Sequence, residues 1–367
     1  MSPSNEDRIG ENLICNIMVK ITLNFINELL SNIMTTLKLL SIVALSASLM
    51  SCGNKRSADQ AEVTENDSIQ PAKVYFTKEI TPESLVKIYE ALGVAPQGNV
   101  AVKISTGESA ESYNLKPELI KDLVQKVNGT LVESNTAYAG NRNTTEAHLK
   151  AVAERGYTDI APVDILDAEA DIRIPVNDTT WIHYDIVGSH LPNYDFMINL
   201  AHFKGHQMGG FGGVLKNASI GVASSAGKTY IHSAGRTQDV EHIWEFTDNQ
   251  DGFIEAMAAA AQGVHNYFKQ PGKDIVYIDV LNNMSIDCDC NGNPKEPGLK
   301  DMGIMASIDP VALDKAAIDM VFNHESVEGD DAAPFIERVN SLHGTHIIDH
   351  AEKIGLGTTN YELVEIK

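Results

Sequence analysis

Apolar residues fall into two alternating rhythms along this chain. Short β-branched runs with a period of two give way to longer stretches in which apolar residues recur every three to four positions. The run NVAVKIS at 99–105 predicts a strand. KPELIKDLVQKV at 116–127 predicts a helix, with Pro117 suited to its first turn and Asn128-Gly129 to its end. TLVES at 130–134 is the next strand, and a helix over 145–155 stops at Gly156. Further strands are predicted at 161–166, 171–176, 181–187 and 194–200. A helix over 253–268 feeds a strand at 274–280, and GIMAS at 303–307 feeds a helix opened by Asp309-Pro310, with Asp309 as its N-cap. Strands alternating with helices predict an α/β fold with a largely parallel sheet and helices on both faces, formed by residues 74–367 as one domain. Ligands of such sheets bind outside the carboxyl ends of the strands.

The pattern changes upstream. Residues 34–52 read MTTLKLLSIVALSASLMSC, with Lys38 in a short n-region, an apolar stretch from Leu39 to Met50, and Leu-Met-Ser-Cys ending at Cys52. The stretch falls short of the roughly 20 residues of a comfortable transmembrane helix and fits a signal h-region. A non-cleaved anchor or a short buried helix is the competing reading. Ser51 and the polar run after Cys52 favour cleavage, so 34–51 is read as a lipoprotein signal peptide and Cys52 as the lipidated residue. Residues 1–33 read as an over-extended start, with Met34 the initiator. Residues 52–73 have the composition of a disordered tether. The expected location is the cell envelope on the periplasmic side, anchored to the membrane through lipid.

Net charge sharpens the choice of partner. The chain carries −22, and the first 51 residues, with three basic and four acidic side chains, contribute almost none of it. Such acidity argues against nucleic acid as a partner. Of the four cysteines, lipidation of Cys52 would leave Cys288 and Cys290 in the body of the chain. Two thiols are too few for a four-cysteine iron–sulfur cluster.

Candidate chemistry gathers in two segments that follow predicted strands. HFKGH at 202–206 leads into GGFGG and then LKN. Gly209, Gly210, Gly212 and Gly213 allow the backbone a close approach to a ligand and an anion-binding concavity of N–H groups, to which Lys204, Lys216 and Asn217 add polar contacts. The pattern is not GxxxxGK[ST], and a glycine-rich turn of this sort is as often purely structural. His202 and His206 have the i,i+4 spacing of a metal pair, although each alone reads equally as a hydrogen-bonded structural residue. Cys288 and Cys290 form CxC, whose thiols can share a soft metal such as Zn or Fe. A short-loop disulfide and two unrelated thiols are the alternatives. Lys228 and His232 stand four apart and can clamp an anion or transfer a proton, or form a polar face. Arg142 can grip an acidic ligand bidentately or fix a turn. The histidines at 324, 343, 346 and 350 are given no metal role.

Several separated blocks carry a family resemblance over residues 99–323. They are SNTAYAGNR at 134–142 with His148 following, NLAHFKGH at 199–206, GGFGGVLKN at 209–217, AGKTYIH at 226–232, DCDC at 287–290 and DMGIMASIDPVALD at 301–314. In this order they resemble the domain-of-unknown-function family 362, whose members are often labelled ferredoxin-like or iron–sulfur-associated and share no established activity. Many relatives carry a ferredoxin insert with paired CxxCxxC runs after the GK…H block. Here that region, 233–257, has no cysteine. A redox role would therefore need the CxC pair, a bound cofactor or an electron-transfer partner.

Two functions are carried forward. One is a metal- or cofactor-dependent enzyme of the envelope, with His202, His206, Cys288 and Cys290 as ligands, the glycine loop with Lys204, Lys216, Asn217 and Arg142 holding an anionic group, and Lys228 and His232 serving catalysis. The other is a non-catalytic lipoprotein that binds a small anion or a metal ion.

Overall fold

The protein is described by a computed structural model covering residues 70–367. The segments read as an over-extended start, a signal peptide and, for the most part, a tether lie outside the described residues, as does Cys52. The first strand, β1, spans Ala72–Thr77, so regular structure begins two residues before the expected end of the tether. There follow helix α1 (Pro82–Ala91), β2 (Val100–Lys103), α2 (Pro117–Lys126), β3 (Thr130–Glu133), α3 (Thr145–Glu154) and β4 (Val163–Ile165). Next come β5 (Asp171–Ile174), β6 (Asp185–Gly188), β7 (Phe196–His202), β8 (Lys204–His206), β9 (Gly210–Gly212) and the helices α4 (Val214–Ala218), α5 (Ser225–His232) and α6 (Gln250–Phe268). The chain closes with β10 (Asp274–Leu281), β11 (Gly303–Ser307), α7 (Pro310–Phe322), α8 (Ala333–Ser341), α9 (His346–Lys353) and β12 (Tyr361–Glu365).

Eight strands form one sheet in the order β12-β1-β11-β10-β7-β2-β3-β4. β10, β7, β2, β3 and β4 run parallel, as do β12 and β1, while β11 is antiparallel to both of its neighbours. The sheet is thus mostly parallel. Its pleat explains the two apolar layers. On β7, Phe196, Ile198 and Leu200 face a core built with Leu85 and Ile88 of α1 and Ile120, Leu123 and Val124 of α2. Met197 and Ala201 face the opposite core, with Phe253, Ile254 and Met257 of α6 and Leu313 and Ala317 of α7. A strand buried on both faces reads as a continuous apolar run, as β7 and β10 do.

Two predicted strands do not enter this sheet. β5 and β6 pair antiparallel as a separate ribbon. HFKGH and GGFGG, read as a loop, form a second ribbon in which Lys204 pairs with Gly212 and His206 with Gly210. Gly210 has φ of +81°, the left-handed conformation that glycine takes without penalty. Asp309 caps α7 as expected, accepting from the N–H groups of Val311 and Ala312 at 2.9 and 3.0 Å.

The glycine loop has a use other than the one its sequence indicates. Asp314, buried on α7, accepts from Val214 N–H and Leu215 N–H at 2.9 and 3.0 Å, so the anion at the start of α4 is the protein's own. Burial lifts this carboxyl to about 6. Burial, and then the facing Asp314, push Asp279 well above the ordinary carboxylate range, so the pair keeps a proton at neutral pH. A Cβ on Gly213 would lie 2.2 Å from Asp314 Oδ1, inside van der Waals contact. Gly213→Ala should therefore destabilise the fold by about 1–3 kcal/mol, the usual cost of overpacking. A lowered urea midpoint with unchanged slope would report this.

Candidate active site

Parallel strands expose their last residues at one edge of the sheet, and here those residues are polar. Lys103 ends β2, Glu133 ends β3 and His202 ends β7, while β10 leads into the segment that carries Cys288 and Cys290. A cavity of about 300 Å³ opens at this edge, lined by all of these except His202 and by residues from β8, β9, α4 and α5. This is where the topology of a parallel sheet places ligands. Lone charges ending apolar strands are the sequence signal that marks Lys103 and Glu133, which the sequence reading did not select. Trp244, 57% exposed, adds an aromatic wall.

The two thiols are free and adjacent. His206, Cys288 and Cys290 place one ligand atom each within 4.8 Å of one another. The Cys288 thiol is held well below its ordinary range, first by the hydrogen bond from the Cys290 thiol; burial opposes this, and Lys216 and His206 reinforce it. That same bond, with burial, pushes Cys290 well above the ordinary range. Of the two, Cys288 is the thiol favoured as the thiolate, with Cys290 as its donor. Lys216 Nζ and the Cys290 backbone N–H lie 3.8 and 3.3 Å from its sulfur.

The two histidines of HFKGH do different work. His202 is buried and faces an acceptor at each ring nitrogen, Asp289 Oδ1 at 2.8 Å and the Asn282 carbonyl at 2.6 Å. Neither nitrogen is open to a metal in this arrangement. His202 instead braces the loop that holds the cysteines. His206 accepts at Nδ1 from Gly209 N–H at 2.7 Å, and burial lowers its pKa to about 4, so its neutral ring carries the proton on Nε2. It is the histidine that joins the thiols, and with this tautomer it donates toward Cys288. Lys204 Nζ reaches Asp289 Oδ2 at 3.0 Å. Burial works against the Lys204 charge, but Asp289 more than offsets it and raises the pKa.

Five cationic side chains border the cavity: Lys103, Arg142, Lys204, Lys216 and Lys228. Three have carboxylate partners. Lys103 lies 3.5 Å from Glu133 Oε2, Arg142 reaches Glu108 and Glu133 at 3.1 and 3.5 Å, and Lys204 holds Asp289. Arg142 is thus already engaged by two carboxylates. Lys216 faces the Cys288 sulfur, and Lys228 donates to the Ala223 carbonyl at 2.5 Å. Burial brings both Lys103 and Lys228 down to about 8. Glu133 resists its own burial through Lys103 and Arg142, which hold it at about 2. Asn217 is a strut: it donates to the Lys103 carbonyl and to Asn199 and accepts from Lys103 Nζ at 3.2 Å. Gly212 and Gly213 line the cavity, whereas Gly209 serves His206.

His232 lines the cavity from the end of α5. Its Nδ1 faces the Lys228 carbonyl at 2.7 Å and so carries the proton, and its ring stacks on Phe253 with centroids 4.8 Å apart. Burial lowers its pKa to about 3, which leaves a neutral ring with a lone pair on Nε2. A thiolate, a neutral imidazole and poised lysines around one cavity are the materials of proton transfer and soft-ligand chemistry.

The model of the family described as Domain of unknown function (DUF362) matches residues 100–319, which include every residue of this cavity. The chain belongs to that family. No curated protein matches it. Among solved structures, it is similar to the lactate racemase apoprotein from Thermoanaerobacterium thermosaccharolyticum, at 13% identity and a TM-score of 0.39, over 68% of this chain and 57% of that one. It is also similar to a protein from Thermotoga maritima, at 13% identity and a TM-score of 0.39, over 76% and 59%. The chain spans less than two thirds of either protein.

For this DUF362 protein the thiol geometry has a chemical readout. Cys288 should be alkylated as a thiolate below the pH at which an ordinary thiol ionises, and Cys290 only above it. Cys290→Ala removes the bond that leads the stabilisation of Cys288. It should move the alkylation midpoint of Cys288 upward, as followed by mass spectrometry across pH.

Proposed function

We propose that this chain is an envelope enzyme that uses a metal or an anionic cofactor and acts on a small anion, with the cavity at the sheet edge as its active site. The observation that carries this reading is the charge arrangement: five cationic side chains and two free cysteines border a single cavity in a chain of net charge −22. Three of the cations are balanced by the protein's own carboxylates. Lys216 and Lys228 stand outside those pairs and are the charges left for a ligand.

Each group then has a role that its surroundings support. Lys228 and Lys216 bind the anionic group, with Lys103 behind them. His232, neutral and lining the cavity, offers its Nε2 lone pair as a hydrogen-bond acceptor to the ligand, and its lowered pKa makes it only a weak base. Cys288, with Cys290 supplying the hydrogen bond, is the soft ligand or the redox-active sulfur. Two thiols and an imidazole fit a borderline or soft ion such as Zn or Fe. His206 would join such an ion only by giving up the Gly209 bond that fixes its present tautomer.

Localisation belongs to the same proposal. Among the described residues no helix is long and apolar enough to cross a membrane. Cys52, as the lipidated residue, would supply the anchor. Cys52→Ala should release the chain from the membrane fraction.

The direct test is anion binding by calorimetry, with inorganic phosphate and a small 2-hydroxy acid as probes. Lys228→Met should weaken binding at least about tenfold, the scale of one charge-assisted hydrogen bond. Because a lysine holds its charge only below its pKa, affinity for the 2-hydroxy acid, whose carboxylate does not titrate in this range, should be level up to pH 7 and fall as pH rises through about 8. Anaerobically purified wild type should carry metal or cofactor that Cys288→Ser with Cys290→Ser lacks. Anion binding without bound metal, cofactor or turnover would favour a carrier instead of an enzyme.

A further inference from the structure

A second group of ligand-type side chains lies outside the cavity, where α6 and α9 meet. None of its members borders the active site. His346 and His350 stand four apart on α9, on one face of the helix, and Glu255 reaches them from α6. One ligand atom from each lies within 4.8 Å of the others. His346 Nε2 is 2.9 Å from Glu255 Oε1, and His350 Nδ1 is 3.4 Å from the same oxygen.

Protons decide what this arrangement is for. Asp178 Oδ2 lies 2.8 Å from His350 Nε2, and a carboxylate only accepts, so that nitrogen carries the ring's proton. In the neutral ring Nδ1 then bears a lone pair. This nitrogen is buried and has no hydrogen-bond partner, and it points at a carboxylate oxygen that also has only lone pairs to offer. Two acceptors facing each other in a buried site repel unless a proton or a metal cation stands between them. The supporting contacts match those of a metal site. Asp178 fixes the tautomer of His350, and the indole N–H of Trp181 donates to Glu255 Oε2 at 2.7 Å and leaves Oε1 facing the imidazoles. Such outer partners orient ligands and raise their basicity. The separations of 2.9 and 3.4 Å bracket the roughly 3.3 Å edge of a tetrahedron with bonds of about 2.0 Å.

We propose that Glu255, His346 and His350 form a second metal site, for a divalent ion of zinc type, with Asp178 as the residue that positions His350. Two imidazoles and one carboxylate suit a borderline ion, and three protein ligands leave a fourth position for water or a partner's side chain. His346 and Glu255 keep about a fifth of their side-chain surface exposed, so the ion has a way in. A bound ion would tie α6, α9 and the segment around Asp178 together. The site does not depend on the reading of the thiol cavity.

The test is equilibrium dialysis of the full chain against zinc chloride, with bound metal counted by mass spectrometry. His346→Gln should bind one equivalent fewer than wild type, whatever the cysteine site holds, and the same difference should persist when Cys288 and Cys290 are both serine. His346 is partly exposed, so this variant spares the core; His350→Gln should lose the same equivalent. Asp178→Asn should keep the stoichiometry and weaken affinity about 10- to 100-fold. Zinc should raise the melting temperature of wild type more than that of His346→Gln. Equal equivalents in wild type and His346→Gln would overturn the site and leave His350 as a doubly protonated ion-pair partner of Asp178 and Glu255.

Discussion

The buried ion pairing of Asp289 is the constraint on which the candidate active site rests. Asp289 lies between Cys288 and Cys290 in a segment without regular secondary structure, so whatever grips its carboxylate also fixes the thiols. Burial opposes its charge, but His202 and Lys204 outweigh burial and hold its pKa well below the ordinary range. Its carbonyl accepts from Glu108 N–H at 2.8 Å, which ties the same loop to the segment after β2. Removing the carboxylate would strand the buried Lys204 cation and leave His202 Nδ1 without its partner, a loss on the order of 3–5 kcal/mol.

From that anchor follows the charge logic of the cavity. A buried cation persists only where it is paired or hydrogen-bonded, and the protein supplies Glu133, Glu108 and Asp289 to Lys103, Arg142 and Lys204. These pairs leave Lys216, facing the Cys288 sulfur, and Lys228, donating to the Ala223 carbonyl, as the cations without a carboxylate partner at the cavity. The strongly acidic exterior repels an approaching anion only weakly, because exposed charges are screened beyond about 8 Å at physiological ionic strength. Attraction is therefore confined to the cavity, where lower dielectric makes each lysine count for more.

Much of this was legible in the sequence, and the failures have physical causes. Alternating strand and helix rhythms located the parallel sheet and its helices, because residues such as those of β7 and β10 are apolar on both faces. HFKGH and CDC were recognisable because polar residues after apolar runs fall at strand ends. Which histidine meets the thiols was not legible, since what separates His202 from His206 is set mainly by partners 80 or more residues away, Asn282 and Asp289 for one and Cys288 for the other. The glycine loop was expected to offer its N–H groups to an external anion; the N–H groups that meet an anion are those of Val214 and Leu215 just beyond it, and spacing does not say that the anion is Asp314, 100 residues downstream. The pair His346 and His350 had the spacing of a metal pair in plain view. Its partners Glu255 and Asp178, 91 and 172 residues distant, become visible only once α6 and α9 pack together.

The central claim is that the thiolate and the anion site share one cavity. The measurement that tests it most directly is the anaerobic ultraviolet titration of the Cys288 thiolate with and without saturating inorganic phosphate. An anion held by Lys216 and Lys228 adds negative charge beside the thiolate and withdraws part of its cationic support. The titration should then shift to higher pH when phosphate is present, and the shift should vanish in Lys228→Met. A thiolate titration that phosphate leaves unchanged would contradict the account, because the anion and the sulfur would then not belong to one site.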